Sequence, residues 1–439
     1  MSVVVETPRF RPRDLLTFRG YQQAGVAWLQ YGVAVGAVYF VVGPLFAGLL
    51  PDVGWGLAVT STALLIRGLL GIVINPITGW AIARFGVRRV VPVGGVFTAA
   101  FTALTAAVQD PVQFILVFAI ALSIADAFMG HIPSATVVQR WFLARRGTVM
   151  GFVNSGAGFG GLVFAPLFAV MIHNFGWRQA LVLLGVIILV LALPSLLLRE
   201  GPRDVGQWVD GVEGRVIPEP GVDDDLGTPQ REIGSIVRTP LFWMLFSIFG
   251  IEAWALGVYA ADQVLYLKTV GVEAIVSSGA LGISGGVAAV SGILFCRLSD
   301  RISPYFVLIV ATSTMTLGSI VFLFARTAPL LFAYSILFGA GYGLLVPTIP
   351  TALSRYFGAR DFSRAFGVGT ILTSIMGGLG PFVTGVLSET TGSFTVPIYL
   401  VTGLLVLSVV IATLSRPPRY ALAGINRVER SRVGDLPGQ

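Results

Sequence analysis

The sequence predicts an all-α membrane protein with twelve transmembrane helices in two pseudo-symmetric six-helix bundles, and three observations carry that prediction. The 439 residues are 55% hydrophobic and 12% charged, with a mean hydropathy of +0.84, where a soluble domain carries about 25% charged residues. Apolar runs of about 20 residues, the length needed to cross the hydrocarbon layer, recur along the whole chain. The basic, glycine-punctuated stretch Arg140 to Gly160, RWFLARRGTVMGFVNSGAGFG, returns as Arg355 to Gly367, RYFGARDFSRAFG, and Arg140 and Arg355 are 215 residues apart, close to half the chain.

Residues 1–20 form a cytoplasmic N-terminal segment with Arg9, Arg11, Arg13 and Arg19. The apolar run that follows is too long for a signal-peptide core and lacks a clear cleavage site, so it is expected to stay as the first span. The predicted spans of the first bundle, 21–198, are 22–48, 57–82, 90–108, 112–137, 147–172 and 178–198. A cytoplasmic linker, 199–239, holds Pro202, Pro218, Pro220, Pro229 and the acidic run Asp223 to Asp225, a composition that stays solvated. The second bundle, 240–415, contains 240–266, 274–297, 304–325, 329–354, 362–387 and 395–415. A basic, polar tail occupies 416–439.

Orientation follows from the loops. With the N-terminus inside, inner segments hold 25 Lys and Arg and outer loops only Arg178, Lys268 and Arg326, a strong positive-inside asymmetry. Both termini are therefore expected in the cytoplasm, with the chain integral to a plasma (inner) membrane. The basic residues sit singly and in threes between apolar runs, not on one soluble face, which excludes nucleic acid as a partner. The expected partners are the lipid bilayer, a small-molecule substrate and protons, with the chain a monomer.

Several chemistries are missing. One cysteine, Cys296, and two distant histidines supply neither a metal cluster nor a nucleophile–base pair, so no metal, no cofactor and no enzyme activity are expected. The only lysine, Lys268, follows leucine, where a phosphate-binding Walker loop ends in Gly-Lys.

The order of motifs resembles the major facilitator superfamily and, within it, the monocarboxylate porter and oxalate:formate antiporter-like group. Gly79 to Arg89, GWAIARFGVRR, is similar to that superfamily's loop signature between spans 2 and 3, and Cys296 to Arg301, CRLSDR, to its weaker copy between spans 8 and 9. Arg140-Trp-Phe with Arg145-Arg-Gly147, then Gly156, Gly160 and Pro166, then Phe175-Gly-Trp-Arg178, and Arg238 to Trp243 entering span 7, are more specific. The resemblance spans Gly32 to Leu414. It implies a secondary carrier working by alternating access on small organic anions such as monocarboxylates, by proton symport or exchange. It also implies gating loops at Gly79, Arg84, Gly86 and Arg88 and at Asp300 and Arg301. Ala83 stands where an aspartate is usual, and the interiors of spans 8 and 11 carry no Lys or Arg. A carrier of neutral or amphipathic solutes, of drug or metabolite exporter type, is the alternative.

Charges inside the spans are costly and mark pathways or pairs. Arg67 lies about ten residues, roughly 15 Å, into span 2; it is either a bidentate clamp for a substrate carboxylate or the structural partner of Asp126 in span 4. Glu252 in span 7, with no cation predicted in its half, favours its protonated form in low dielectric and is the candidate proton-coupling residue, with Asp126 second. Asp262 is placed at the outer interface. His131, followed by Pro133, is expected to bond backbone carbonyls freed by that proline. With spans 1, 4, 7 and 10 expected to ring the pathway, Tyr31, Tyr39, Asn154, Trp254 and Tyr259 join Arg67 as candidate substrate-binding residues. The glycine runs Gly156 to Gly161 and Gly377 to Pro381 are expected to weaken spans 5 and 11 at corresponding positions.

Overall fold

Peptide groups surrounded by hydrocarbon must pair internally, and the apolar runs of this chain do so as helices. A computed structural model describes residues 18–143, 145–213, 233–298, 302–357 and 362–416, and among them there is no strand. Span 1 consists of two helices, Arg19–Gly36 and Val42–Val53, and span 2 is Leu57–Phe85. Span 3 is Val87–Leu104, and span 4 again consists of two helices, Pro111–Met129 and His131–Trp141. Spans 5 and 6 are the two arms, 146–175 and 177–192, of the 47-residue stretch Arg146–Ala192. The second half contributes Pro240–Thr269, Ala274–Leu298, Pro304–Leu323, Ala328–Phe357, Phe362–Thr391 and Thr395–Leu414 as spans 7 to 12.

Local chemistry sets the ends. Forty-seven residues in one rod would reach about 70 Å, more than twice the hydrocarbon thickness; Gly176 turns the chain back with φ 78° and ψ 160°. Gly86 does the same between spans 2 and 3 with φ 82° and ψ 161°, a region that a side chain at that position would strain. Asp110 caps span 4 by accepting from the Gln113 amide at 2.9 Å, with Pro111 at the first helical position. Pro240 and Pro304 open spans 7 and 9 in the same way.

Two of the predicted spans are not continuous. Span 1 is interrupted at 37–41, where the Val35 carbonyl accepts from both Tyr39 and Phe40 amides at 3.0 Å, and Pro44 has no N–H for the Phe40 carbonyl. Span 4 is interrupted at Gly130 (φ −83°, ψ −137°), three residues before Pro133. Apolar composition does not register either break. Conversely, spans 5 and 11 run unbroken through their glycine runs. Those glycines serve close approach: a Cβ at Gly156 would collide with the Trp28 carbonyl and one at Gly160 with the Gly32 carbonyl, both on span 1.

Each half has its own core, around Phe46, Phe114, Trp141 and Phe168 in the first and Phe242, Tyr259, Phe322 and Tyr334 in the second. Spans 3, 6, 9 and 12 turn apolar side chains such as Phe97, Val186, Leu317 and Val406 outward, as lipid-facing helices do. The halves meet where small residues let backbones touch. Span 5 packs on span 8 through Gly158 and Gly285, span 2 on span 11 through Gly68 with Ser374 and Gly378 with Leu64, and the second helix of span 1 on span 7 through Gly43 and Ala260.

One end of the bundle, the basic face, carries Arg84, Arg88, Arg140, Arg145, Arg146 and Arg355. The other carries Asp52, Arg178, Lys268 and Glu389. Along spans 2 and 11 the touching pairs run from mid-depth toward this opposite face, ending with Gly385 on Ala58 and the Glu389 carboxylate accepting from the Ala58 amide at 2.9 Å. Lys268 adds a bond to the Ala47 carbonyl at 3.4 Å. The halves are thus sealed at the opposite face, while the basic half holds an open cleft.

Candidate functional site

The cleft is walled by Tyr31 and Val35 of span 1, Gly151, Asn154 and Gly158 of span 5, Ala288 and Gly292 of span 8, and Tyr342 and Pro347 of span 10, with ≈ 570 Å³ of empty space that includes its open mouth; a smaller hollow of ≈ 270 Å³ adjoins it under Phe40. Its deepest part reaches the broken segment of span 1. A helix interrupted at mid-depth turns main-chain groups and aromatic side chains into the space between halves, where irregular backbone is tolerated because it lines a cavity.

Arg67 lies at this depth. Its Nη2 donates to Asp126 Oδ2 at 3.0 Å, with side-chain exposures of 22% and 44%, and its guanidinium stacks over the Tyr39 ring at 4.9 Å. Nη2 is the only one of its nitrogens with a side-chain partner among the described residues, which leaves the other edge of the fork unspent. Tyr342 stands among these groups, with Glu252, Tyr31, Tyr39 and Asp126 all acting electrostatically on its hydroxyl. His131 opens the second helix of span 4, exposed beside the cleft, with its ring centroid 6.2 Å from that of Tyr31. It makes no bond to a backbone carbonyl among the described residues, contrary to expectation, because the break at Gly130 precedes it and turns it into the cleft.

Across from Arg67, Glu252 of span 7 is 2% exposed, and neither carboxyl oxygen has a hydrogen-bond partner among the described residues. A buried carboxylate without a partner is very unfavourable. The Trp254 indole N–H is likewise buried without a partner among the described residues, and Asn154 stands within reach of the His131 ring.

The structure separates some of the predicted residues. Tyr31, Tyr39 and Asn154 gather with Arg67 and Asp126 at the cleft. Tyr259 belongs to the core of the second half, packed between Phe322, Tyr334 and Phe338 with its hydroxyl bonded to Ser319 at 2.7 Å, and it meets the cleft only through the smaller hollow, whose wall it shares with Phe40 and Tyr342. Trp254 is almost buried, with its backbone carbonyl against Gly380 of span 11. Asp262, nearer the outer end of span 7, is 2% exposed, because the second helix of span 1 packs over this part of span 7. Of the gating loops, Gly86 makes the turn, Gly79 and Arg84 are exposed, and Asp300 and Arg301 lie outside the described residues.

A carboxylate from elsewhere in the chain reaches the turn that follows Ala83. Glu200, at the start of the linker, accepts from the amides of Val87 at 3.1 Å and Arg88 at 3.0 Å and pairs with Arg140. A carboxylate at a helix N-terminus that also holds an arginine of span 4 ties spans 3, 4 and 6 together at the basic face. Sequence reasoning missed Glu200 and Tyr342. Glu200 stands in an ordinary polar linker, and Tyr342 is one aromatic in an apolar run, FGAGYGLL, whose only signal is its glycines. The arginine-rich motifs are structural at this face: Arg146 donates to the carbonyls of Phe142 at 2.6 Å and Gln139 at 3.0 Å. At the opposite face the Trp177 indole donates to Asp52 at 2.8 Å while Arg178 stacks on Trp177 at 4.1 Å.

Comparison with known proteins agrees with this architecture. The family model described as Major Facilitator Superfamily matches residues 31–328 and 268–433. Among curated proteins, the chain is 26% identical over 291 residues to monocarboxylate transporter 12 of Mus musculus, covering 60% of this chain and 58% of that protein. It is 26% identical over 408 residues to monocarboxylate transporter 11 of Homo sapiens, covering 82% of each. A crystal structure of a bacterial homologue of the human lysosomal transporter Spinster, inward-facing and unoccupied, shares the fold with a TM-score of 0.65 at 17% identity, over 93% of this chain and 98% of that one. Twelve spans in two halves, a cleft between the halves at mid-depth, and a family match that runs through both halves lead to one assignment: the chain is an integral membrane protein that belongs to the Major Facilitator Superfamily.

Proposed function

We propose that this protein is a transporter that carries small organic anions, monocarboxylates in the first place, by alternating access with proton coupling, and that its basic face is cytoplasmic. The observation that carries the reading is the Arg67–Asp126 pair at the bottom of the cleft, with an unpartnered carboxyl, Glu252, on the facing half. A planar carboxylate fits the free edge of a guanidinium. Loading it adds a negative charge beside Asp126, and a proton taken up in the same cycle restores neutrality before the halves rock. Glu252 is the group proposed to carry that proton. The charge asymmetry supports the orientation, since Lys and Arg gather on the cytoplasmic side, in the plasma (inner) membrane; the cleft then faces the cytoplasm with both termini on that side.

The resemblance to monocarboxylate transporters supports the substrate class, although the match spans only 58% of the mouse protein. A second reading, transport of neutral or amphipathic solutes, is favoured by one feature: Asp126 already neutralises Arg67. A ligand-stabilisation screen on purified protein separates the two. Monocarboxylates should raise the melting temperature of the wild type but not of Arg67→Lys, whereas stabilisation by hydrophobic amines or neutral solutes alone would refute the anion reading.

A further inference from the structure

Ten residues beyond Glu252 on the same helix, about 15 Å toward the sealed face, Asp262 presents a second buried acid. It is 2% exposed, and neither oxygen has a hydrogen-bond partner among the described residues. Its neighbour Gln263 shows what a satisfied polar residue looks like here: it donates to the Ser277 carbonyl at 3.2 Å and accepts from the Tyr334 hydroxyl at 2.8 Å.

Among the described residues no cation is placed to pair with Asp262. From span 1 the titratable group in electrostatic range is Tyr39. On span 7 itself, Lys268 is bonded to the Ala47 carbonyl. From span 2, Arg67 is held by Asp126, and on span 11, Glu389 is held by the Ala58 amide. From span 10 come Tyr334, bonded to Gln263, and Tyr342, which stands with Glu252. On span 12 the titratable residue is Tyr399, which is exposed, and Glu273, just before span 8, is exposed too.

What covers Asp262 is the contact that alternating access must break. A Cβ at Gly43, on the second helix of span 1, would lie 2.7 Å from the Ala260 carbonyl and 3.4 Å from the Ala261 carbonyl. The backbone flanking Asp262 is therefore sealed by the other half. We propose that Asp262 is a second proton-binding residue of the carrier, loaded and unloaded from the face opposite to the open cleft. This rests on the proton-coupled reading above. When the opposite face parts, water reaches the carboxyl, which exchanges its O–H proton with water on that side. Resealing requires the group to carry a proton, because closing over an unpaired carboxylate is unfavourable. In the resealed carrier Glu252 and Asp262 stand as successive proton sites at different depths of span 7, and a proton passed from one to the other has crossed between the two faces.

Two measurements test this on the purified full chain in lipid. Infrared spectroscopy should show the carbonyl stretch of protonated carboxyls in the wild type, with part of that band lost in Asp262→Asn and a separate part lost in Glu252→Gln. An Asp262→Asn spectrum unchanged in this region overturns the proposal. In proteoliposomes, Asp262→Asn should bring accumulation down to the level seen without a pH gradient while substrate exchange stays near the wild-type rate, and Asp262→Glu should recover accumulation. Unchanged accumulation in Asp262→Asn overturns it, as does loss of accumulation and exchange together in both variants, which marks a structural role. Wild-type transport indifferent to the pH gradient would instead defeat the coupling reading, and the infrared result would then decide Asp262 alone.

Discussion

Replacing Arg67 and Asp126 singly and together tests whether their pair is only structural or also the substrate clamp. Nη2 and Oδ2 are 3.0 Å apart. With about 4 Å between charge centres and an effective dielectric near 20, the attraction is about 4 kcal/mol. The two side chains are 22% and 44% exposed, so solvent screening and the cost of ordering both groups offset much of it, leaving a net coupling of about 1–2 kcal/mol. Arg67→Ala and Asp126→Ala should each lower stability in lipid–detergent micelles by about 1–3 kcal/mol, with the double replacement falling short of the sum by that coupling. Binding should separate the partners. Asp126→Asn frees the guanidinium and should tighten monocarboxylate binding, by about tenfold for each 1.4 kcal/mol released. Arg67→Lys keeps the charge, loses the two-pronged fork and should weaken binding. Additive stabilities together with unchanged affinities in both variants would refute the reasoning.

Three further outcomes are expected. Glu252→Gln should abolish proton-driven accumulation, which for one proton per substrate reaches about tenfold per pH unit, while counterflow exchange survives; unchanged accumulation would remove Glu252 as the coupling residue. Glu389→Gln weakens the carboxylate cap on the Ala58 amide that crosses between halves, a contact of about 0.3–1 kcal/mol. Spin labels at Asp110→Cys and Arg326→Cys, in a Cys296→Ser background, should then show more of the conformation open at that face, and an unaltered distance distribution would dismiss the latch. A reporter active only outside the cytoplasm should be silent at Asp225 and at the C-terminus but active at Thr327, and the reverse pattern would overturn the orientation.

The sequence by itself determined the number of spans, the two-fold repeat and the depth of Arg67, Asp126 and Glu252. Each of these depends on quantities that are local to the chain. A span needs about 20 apolar residues, a loop arginine stays out of the hydrocarbon, and a rise of about 1.5 Å per residue converts position into depth. Azimuth is not local. Tyr259 and Glu252 are seven residues apart on one helix, yet one hydroxyl is spent on Ser319 in a core and the other side chain has no partner, a distinction that depends on which helices pack against span 7. The glycine runs of spans 5 and 11 looked like weak points and are contact surfaces, because whether a glycine bends a helix or admits a neighbour is decided by the neighbour. The true breaks, at 37–41 and Gly130, fall in apolar sequence that hydropathy reads as continuous. Glu200 reaches the turn after Ala83 from 117 positions along the chain, and Asp262 is buried because the second helix of span 1 lies across span 7. Only the tertiary structure decided these, since each is a relation between segments far apart in sequence.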